Sequence, residues 1–404
     1  MTSHERKPRS RLLIPLLVAA LGIALGAGGI ALLRPIISRA TPGMTASPAA
    51  QTGPRSLSQP AIQARIEPSV VDVTATLTYD DETASGTGFV VDAGSGLIIT
   101  NNHVIRDATL VTVTVPSTGR SYQADIVGVD VSADIAVLQI KTAAGLTAAP
   151  LGDSAALAAG ARVVSFGNRA GAGGLPAIAT GVITGTGRTI QADDGAAGFS
   201  ETLHDMLATS AQIEPGDSGG PLAGAAGTVV GVDTAAGTSG TDTGYAIPIN
   251  AAMTAERRIT SGGRGQGISL GVDGFLGVIM GPSGSRSPVK QLEQEQGIGT
   301  GSAASLGATG CAPTEAEVTT PPIIAPAPTG ALVVGVLCGT GAASAGISPG
   351  DVITAANGRA VESPGALTAI VSAYRPGTVV PVTWLNVAGL ARTARVRLGP
   401  APAA

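Results

Sequence analysis

Little in this sequence is large or charged. Aromatic residues make up 2% of its 404 positions, with one Trp, four Tyr and four Phe, and charged residues 13%. Any core must therefore be filled by Ile, Val, Leu and Ala, and the 58 glycines point to many tight turns. A net charge of -4, without a Lys/Arg block beyond the first residues, leaves no electrostatic footprint for nucleic acid and excludes that partner class. The three histidines and two cysteines have no metal-ligand spacing and no carboxylate cluster stands in for them, so neither a metal nor a cofactor is expected.

One long hydrophobic run is present. Residues 12–33 carry no charge and would span about 33 Å as a helix, enough to cross a bilayer core. Arg6, Lys7, Arg9 and Arg11 precede it and only Arg34 and Arg39 closely follow. The positive-inside rule then places residues 1–11 in the cytoplasm and the rest of the chain on the periplasmic or extracellular side. A cleaved signal peptide is the alternative, but the run exceeds a usual signal core and no A-x-A site follows. Residues 34–65 are rich in Pro, Ser, Ala and Thr and read as a tether. In an oxidising compartment Cys311 and Cys338 are expected to form a disulfide, a free buried pair being the alternative.

From Ser69 onward, short β-branched runs such as VVDVTATLTY, GLIIT, ATLVTVTV and DIAVLQI alternate with Gly, Asp, Ser and Asn turns, the pattern of an all-β barrel or sandwich. Helical spacing replaces it in AIPINAAMTAERRI. The spacing predicts a first domain over 66–261, a short linker, and a smaller domain over 268–400 interrupted by a Gly/Ser/Pro-rich insertion at 281–328.

The heptapeptide GDSGGPL, residues 216–222, carries the strongest chemical signal. Glycines on both sides let the chain turn sharply, expose Ser218 and converge backbone N–H groups on one point. A serine hydroxyl needs an adjacent base, and histidine supplies one near neutral pH. His4 falls on the cytoplasmic side and His204 in a polar segment. His103 follows an apolar strand in GLIITNNHVI and opens a short helical turn. A carboxylate must orient that base, and Asp134, just before the strand IAVLQI, is the best placed, with Asp125 and Asp130 as alternatives. The chain order His103, Asp134, Ser218 is the chymotrypsin order.

With SGTGFVVD, TNNHVI, DIAVL, GDSGGPL, VVGVDTAA and GYAIPI in place, residues 66–400 resemble the trypsin-like serine proteases of the bacterial HtrA (Deg) family. The resemblance implies a chymotrypsin-like double β-barrel acting on polypeptides, with His103 as base, Asp134 as its orienter and Ser218 as nucleophile. It also implies an oxyanion hole from the N–H groups of Gly216 and Ser218, and a primary pocket with Gln212 at its floor. An uncharged Gln212 predicts small or medium apolar residues before the cut bond. Where heat-shock members usually carry Asn, this chain has Asp217, which is expected to pair with an internal cation, Arg169 or Arg188. The family's aromatic route to trimers has no counterpart before Tyr79, so the oligomeric state stays open.

The second domain looks like a PDZ module, α+β in class. PGDVITAANGRAV carries its Asp before a strand and its Asn-Gly turn, and SPGALTAIVSAYRPG offers its helix. The resemblance implies capture of peptide C-termini, with Phe275, Leu276, Gly277 and Val278 as the carboxylate loop; an ordinary core strand is the alternative.

Overall fold

Alternation along short strands closes the first part of the chain on itself twice. The computed structural model describes residues 56–403 except 142–143, 195–198, 235–243, 266, 282–309, 316–317, 319–320 and 322. The apolar run at 12–33, the residues before it and most of the expected tether lie outside the described residues. Among the described residues, no helix is long and apolar enough to cross a membrane.

The first barrel consists of β1 (Val70–Leu77), β2 (Glu82–Asp92), β3 (Leu97–Thr100), β4 (Leu110–Val115), β5 (Arg120–Asp130) and β6 (Ile135–Gln139). They run in the order β5-β4-β1-β2-β3-β6, and a β5–β6 pairing closes the ring. The second is a closed barrel of β7 (Arg162–Gly167), β8 (Ala177–Asp194), β9 (Phe199–Thr209), β10 (Pro221–Gly224), β11 (Val229–Thr234) and β12 (Gly244–Pro248). One cluster of Val, Ile and Ala around Phe89 and Phe166 spans both barrels. The scarcity of aromatics is met by β-branched packing.

Two boundaries differ from those expected. The tether ends early, because α1 (Gln59–Ile66) is a helix with Pro60 in its first turn and Ile62 and Ile66 buried in the shared cluster. Its low amphipathicity hid it, since two isoleucines four residues apart suffice to bury one narrow stripe. After α3 (Ile249–Thr260), whose buried Ile249, Ala252, Ala255 and Ile259 follow helical spacing, β13 (Ile268–Leu270) pairs with β5 rather than opening the second domain.

That domain begins at β14 (Gly274–Phe275). Its sheet runs β15 (Val278–Met280), β16 (Ala331–Val336), β17 (Val352–Ala356), β19 (Val379–Leu385), β20 (Ala391–Arg397), and β18 (Arg359–Ala360) pairs with β17. Helices α4 (Gly341–Ala345) and α5 (Pro364–Val371) complete it, with a core around Trp384, Leu367 and Ile370. The end of the expected insertion is packed, not loose: Ile324, Ala325 and Ala327 are buried against Leu332 and Val352. Cys311 is bonded to Cys338, 27 positions away. Replacing both by Ala is expected to cost about 3.5 kcal/mol by the loop-entropy model, read as a lower Tm that reductant does not lower further; an unchanged Tm would show the bond to be energetically idle.

The two domains touch through a few residues. Tyr79, at the β1–β2 turn, lies with its ring centroid 5.1 Å from that of Phe275, and its hydroxyl donates to Pro400 O at 3.1 Å. Beyond β21 (Gly399–Pro400), which pairs with β14, the chain returns to the first barrel. Asp107 N donates to Ala403 O and Ala403 N to Ala108 O, each at 3.0 Å, with the Ala403 side chain in the first barrel's core.

Candidate active site

β3 ends at Thr100, and the chain turns at Asn101 into α2 (Asn102–Ile105), which carries His103. Asn101 is fully buried and donates from Nδ2 to Asp134 O at 2.9 Å, while Asn102 N donates to the same carbonyl at 3.2 Å. Asp134 sits at φ 50°, a left-handed conformation that Asp tolerates better than most residues. This turns its carboxylate back onto the helix: Oδ1 accepts from His103 N at 3.0 Å and Oδ2 lies 2.8 Å from His103 Nδ1. With a carboxylate as acceptor, Nδ1 carries the hydrogen and Nε2 is left as the basic nitrogen.

The alternatives are engaged elsewhere. Asp125 pairs with Lys141, and Asp130 holds Arg258 at 3.3 Å and Ser132 Oγ at 2.7 Å. His204 lies exposed on β9 beside Thr189.

Ser218 follows Asp217 in a turn whose glycines cannot be replaced. Gly216 has φ 95° and Gly219 φ 86°; a Cβ at Gly219 would fall 2.1 Å from Thr87 O and 2.3 Å from Thr100 Oγ1. The nucleophile turn is thus pressed onto the strand end that leads to His103. It is also sewn to β2, with Thr87 N donating to Ser218 O at 2.8 Å and Thr87 Oγ1 to Gly216 O at 2.6 Å. Ser218 is 5% exposed.

Asp217 finds its cation in Arg169, whose guanidinium Nη2 donates to Asp217 Oδ2 at 3.2 Å and to Gln212 O at 3.1 Å, with Nε 3.2 Å from Glu214 Oε2. Burial pushes the Asp217 carboxyl up, and the Glu214 N–H and the guanidinium oppose that. Arg188 instead folds over Gly185. Gln212 has an exposed side chain and is held by its carbonyl, so it does not floor an enclosed pocket. Its neighbour Ile213 packs at Gly244, where a Cβ would fall 2.7 Å from Ile213 Cδ1.

Residues 86–232 match the family model for a trypsin-like peptidase domain. The serine protease PepD of Mycobacterium tuberculosis is 31% identical over 386 residues, 91% of this chain and 70% of PepD. The chain belongs to the HtrA family of trypsin-like serine proteases. Its class is serine endopeptidase. The periplasmic pH-dependent serine endoprotease DegQ of Escherichia coli is 30% identical over 305 residues, 74% of this chain and 56% of DegQ. A solved HtrA-type protease, AlgW with a tripeptide, covers 86% of this chain and 99% of its own at 27% identity and a TM-score of 0.45.

Within the family frame, the expected site residues fall in two places. The turn of Gly216 and Ser218, from the second barrel, packs on the strand end that leads into His103, itself held by Asp134 of the first barrel, whereas Phe275–Val278 lie in the second domain, with Gly277 at φ 88° breaking the run into β14 and β15. Three residues here were not singled out from the sequence: Thr87, Glu214 and Asp233. Thr87 acts through its hydroxyl on the Gly216 carbonyl, and Glu214 through its own N–H on Asp217 and its carboxylate beside Arg169, short-range contacts that no pattern announces. Asp233, in VVGVDTAA, was in plain view as a charged residue inside an otherwise apolar strand.

Proposed function

We propose that this chain is an extracytoplasmic endopeptidase that cleaves exported or misfolded polypeptides by acyl transfer to Ser218 and hydrolysis of the acyl-enzyme. The observation that carries the reading is the two-point grip of Asp134 on His103, next to the Ser218 turn, whose Gly219 is pressed onto Thr87 and Thr100. His103 Nε2 takes the Ser218 proton as Oγ attacks the scissile carbonyl, then returns it to the leaving amine; Asp134 stabilises the imidazolium between those steps. The N–H groups of Gly216 and Ser218 receive the oxyanion. Arg169 supplies from within the chain the cation that holds Asp217, so activity needs no activating cleavage. Ile213 supports an apolar primary pocket.

In the second domain, a groove of about 200 Å³ between β15 and α5 is lined by Leu276, Val278, Met280, Leu367 and Val371. It supports a PDZ-like role in which the C-terminus of a polypeptide adds a strand along β15, with Phe275–Val278 receiving its carboxylate. Residues 12–33 are proposed as a single membrane anchor with its N-terminal side cytoplasmic.

The test is hydrolysis of unfolded protein and of apolar peptides by the full chain and by Ser218→Ala, together with labelling by a serine-directed phosphonate. Turnover and labelling that both vanish in Ser218→Ala, a loss of about 10⁶-fold in kcat, support the reading. A folded wild-type chain that neither cleaves nor labels would move it to a polypeptide-holding role.

A further inference from the structure

Two buried carboxylates stand behind the nucleophile. Asp217 is 1% exposed and Asp233 is fully buried. Asp217 Oδ2 has its partners, Arg169 and the Glu214 N–H, and Asp233 Oδ2 accepts from Ser165 Oγ at 2.6 Å. The other oxygen of each, Oδ1 of Asp217 and Oδ1 of Asp233, is buried with no hydrogen-bond partner among the described residues. Both side chains press on one face of β7. Asp233 meets Ser165, and a Cβ added at Gly167, two residues on, would fall 2.4 Å from Asp217 Oδ1. The backbones interlock too: Gly219 N donates to Asp233 O at 2.8 Å, Asp233 N to Gly220 O at 2.7 Å, and Gly220 N to Asp217 O at 3.0 Å. Ser218 lies inside that lattice.

One hydrogen shared between the two orphaned oxygens would satisfy both. We propose that Asp233 is a positioning residue for Ser218: its carboxyl group keeps its proton and donates it from Oδ1 to Oδ1 of Asp217, clamping the turn that presents the nucleophile. The charged groups brought against the pair are Arg169, on the far oxygen of Asp217, and Glu214, which faces Arg169. Arg169 favours charge on Asp217 and leaves Asp233 as the acid of the two. Complete burial and the neighbouring Asp217 charge push the Asp233 carboxyl well above the ordinary aspartate range, against the Ser165 hydrogen bond.

The inference rests on the protease reading for its catalytic arm, and a second arm needs no catalysis. Asn is the conservative probe, since its amide can donate to Asp217 and accept from Ser165 at every pH, whereas Ala can do neither. In the full chain, Asp233→Ala is expected to lower kcat by about 10²-fold, the scale of losing an oxyanion donor, with KM little changed. Asp233→Asn should restore kcat and remove the alkaline decline that loss of the Asp233 proton imposes on the wild type.

In the second arm, Tm is followed against pH in the Ser218→Ala background. A raised folded-state value means the stabilising proton is fully present below the unfolded aspartate range and is lost as pH rises through that raised value. The Tm of the Asp233 chain should therefore fall across that window relative to its Asn counterpart. Parallel Tm curves, or an Asn variant no more active than the Ala variant, would overturn the proposal. If the Tm curves diverge while the wild type has no activity, the shared proton stands and the protease reading fails.

Discussion

Asp134→Asn is expected to reduce kcat by about 10⁴-fold while leaving Tm and KM close to those of the parent chain. The substitution changes one atom. Asn can still accept from His103 N through its oxygen, so the left-handed turn at 134 and the start of α2 survive. Facing Nδ1, however, it presents an NH₂ donor where the carboxylate accepted. The imidazole must then accept at Nδ1 and carry its hydrogen at Nε2, so it has no lone pair with which to take the serine proton. The check is a kcat measurement on the full chain beside a pH profile. A loss under tenfold would mean that His103 is oriented by something other than Asp134.

Arg169→Ala is the second large effect, and it separates holding the site from doing the chemistry. Removing the guanidinium strips Asp217 Oδ2 of its charged partner and frees the Gln212 carbonyl and Glu214 together. Leaving a buried carboxylate with its cation gone costs about 3–5 kcal/mol, and the chain relieves that by letting the Gly216–Ser218 turn swing out. The expected result is a fall of about 10²–10³-fold in kcat/KM, as for a lost oxyanion donor, with a matching fall in phosphonate labelling. Arg169→Lys should recover only part of it, because an ammonium reaches one of the three acceptors that the planar fork spans. Unchanged labelling in Arg169→Ala would mean that the turn stands on its backbone contacts alone.

The site was legible because its chemistry demands particular side chains. A nucleophilic serine between glycines, a histidine after an apolar strand and an aspartate before the next leave few other arrangements in a chain with three histidines. The barrels were legible as period-two runs. What escaped was held by backbone or by small residues. Helix α1 buries two isoleucines and little else, β13 is three residues long, and Gln212 acts through its carbonyl. The packed end of the insertion is Ile324, Ala325 and Ala327, whose burial comes from distant neighbours and leaves no periodic trace. Asp233 was visible but unreadable, because one acidic residue in a strand says nothing of the second carboxyl it will meet.

The return of residues 401–403 to Asp107 and Ala108 sets an order of events for a newly made polypeptide. Ribosomes deliver the strands of the first barrel early, yet β13 arrives only after the barrel's other strands, and Ala403, which packs into its core, only after the second domain's sheet. Until then one flank of that barrel lacks its closing contacts, and those contacts are long-range dockings, the kind that form slowly, rather than local strand pairing. The first barrel is therefore completed by residues that follow the second domain's sheet in the chain.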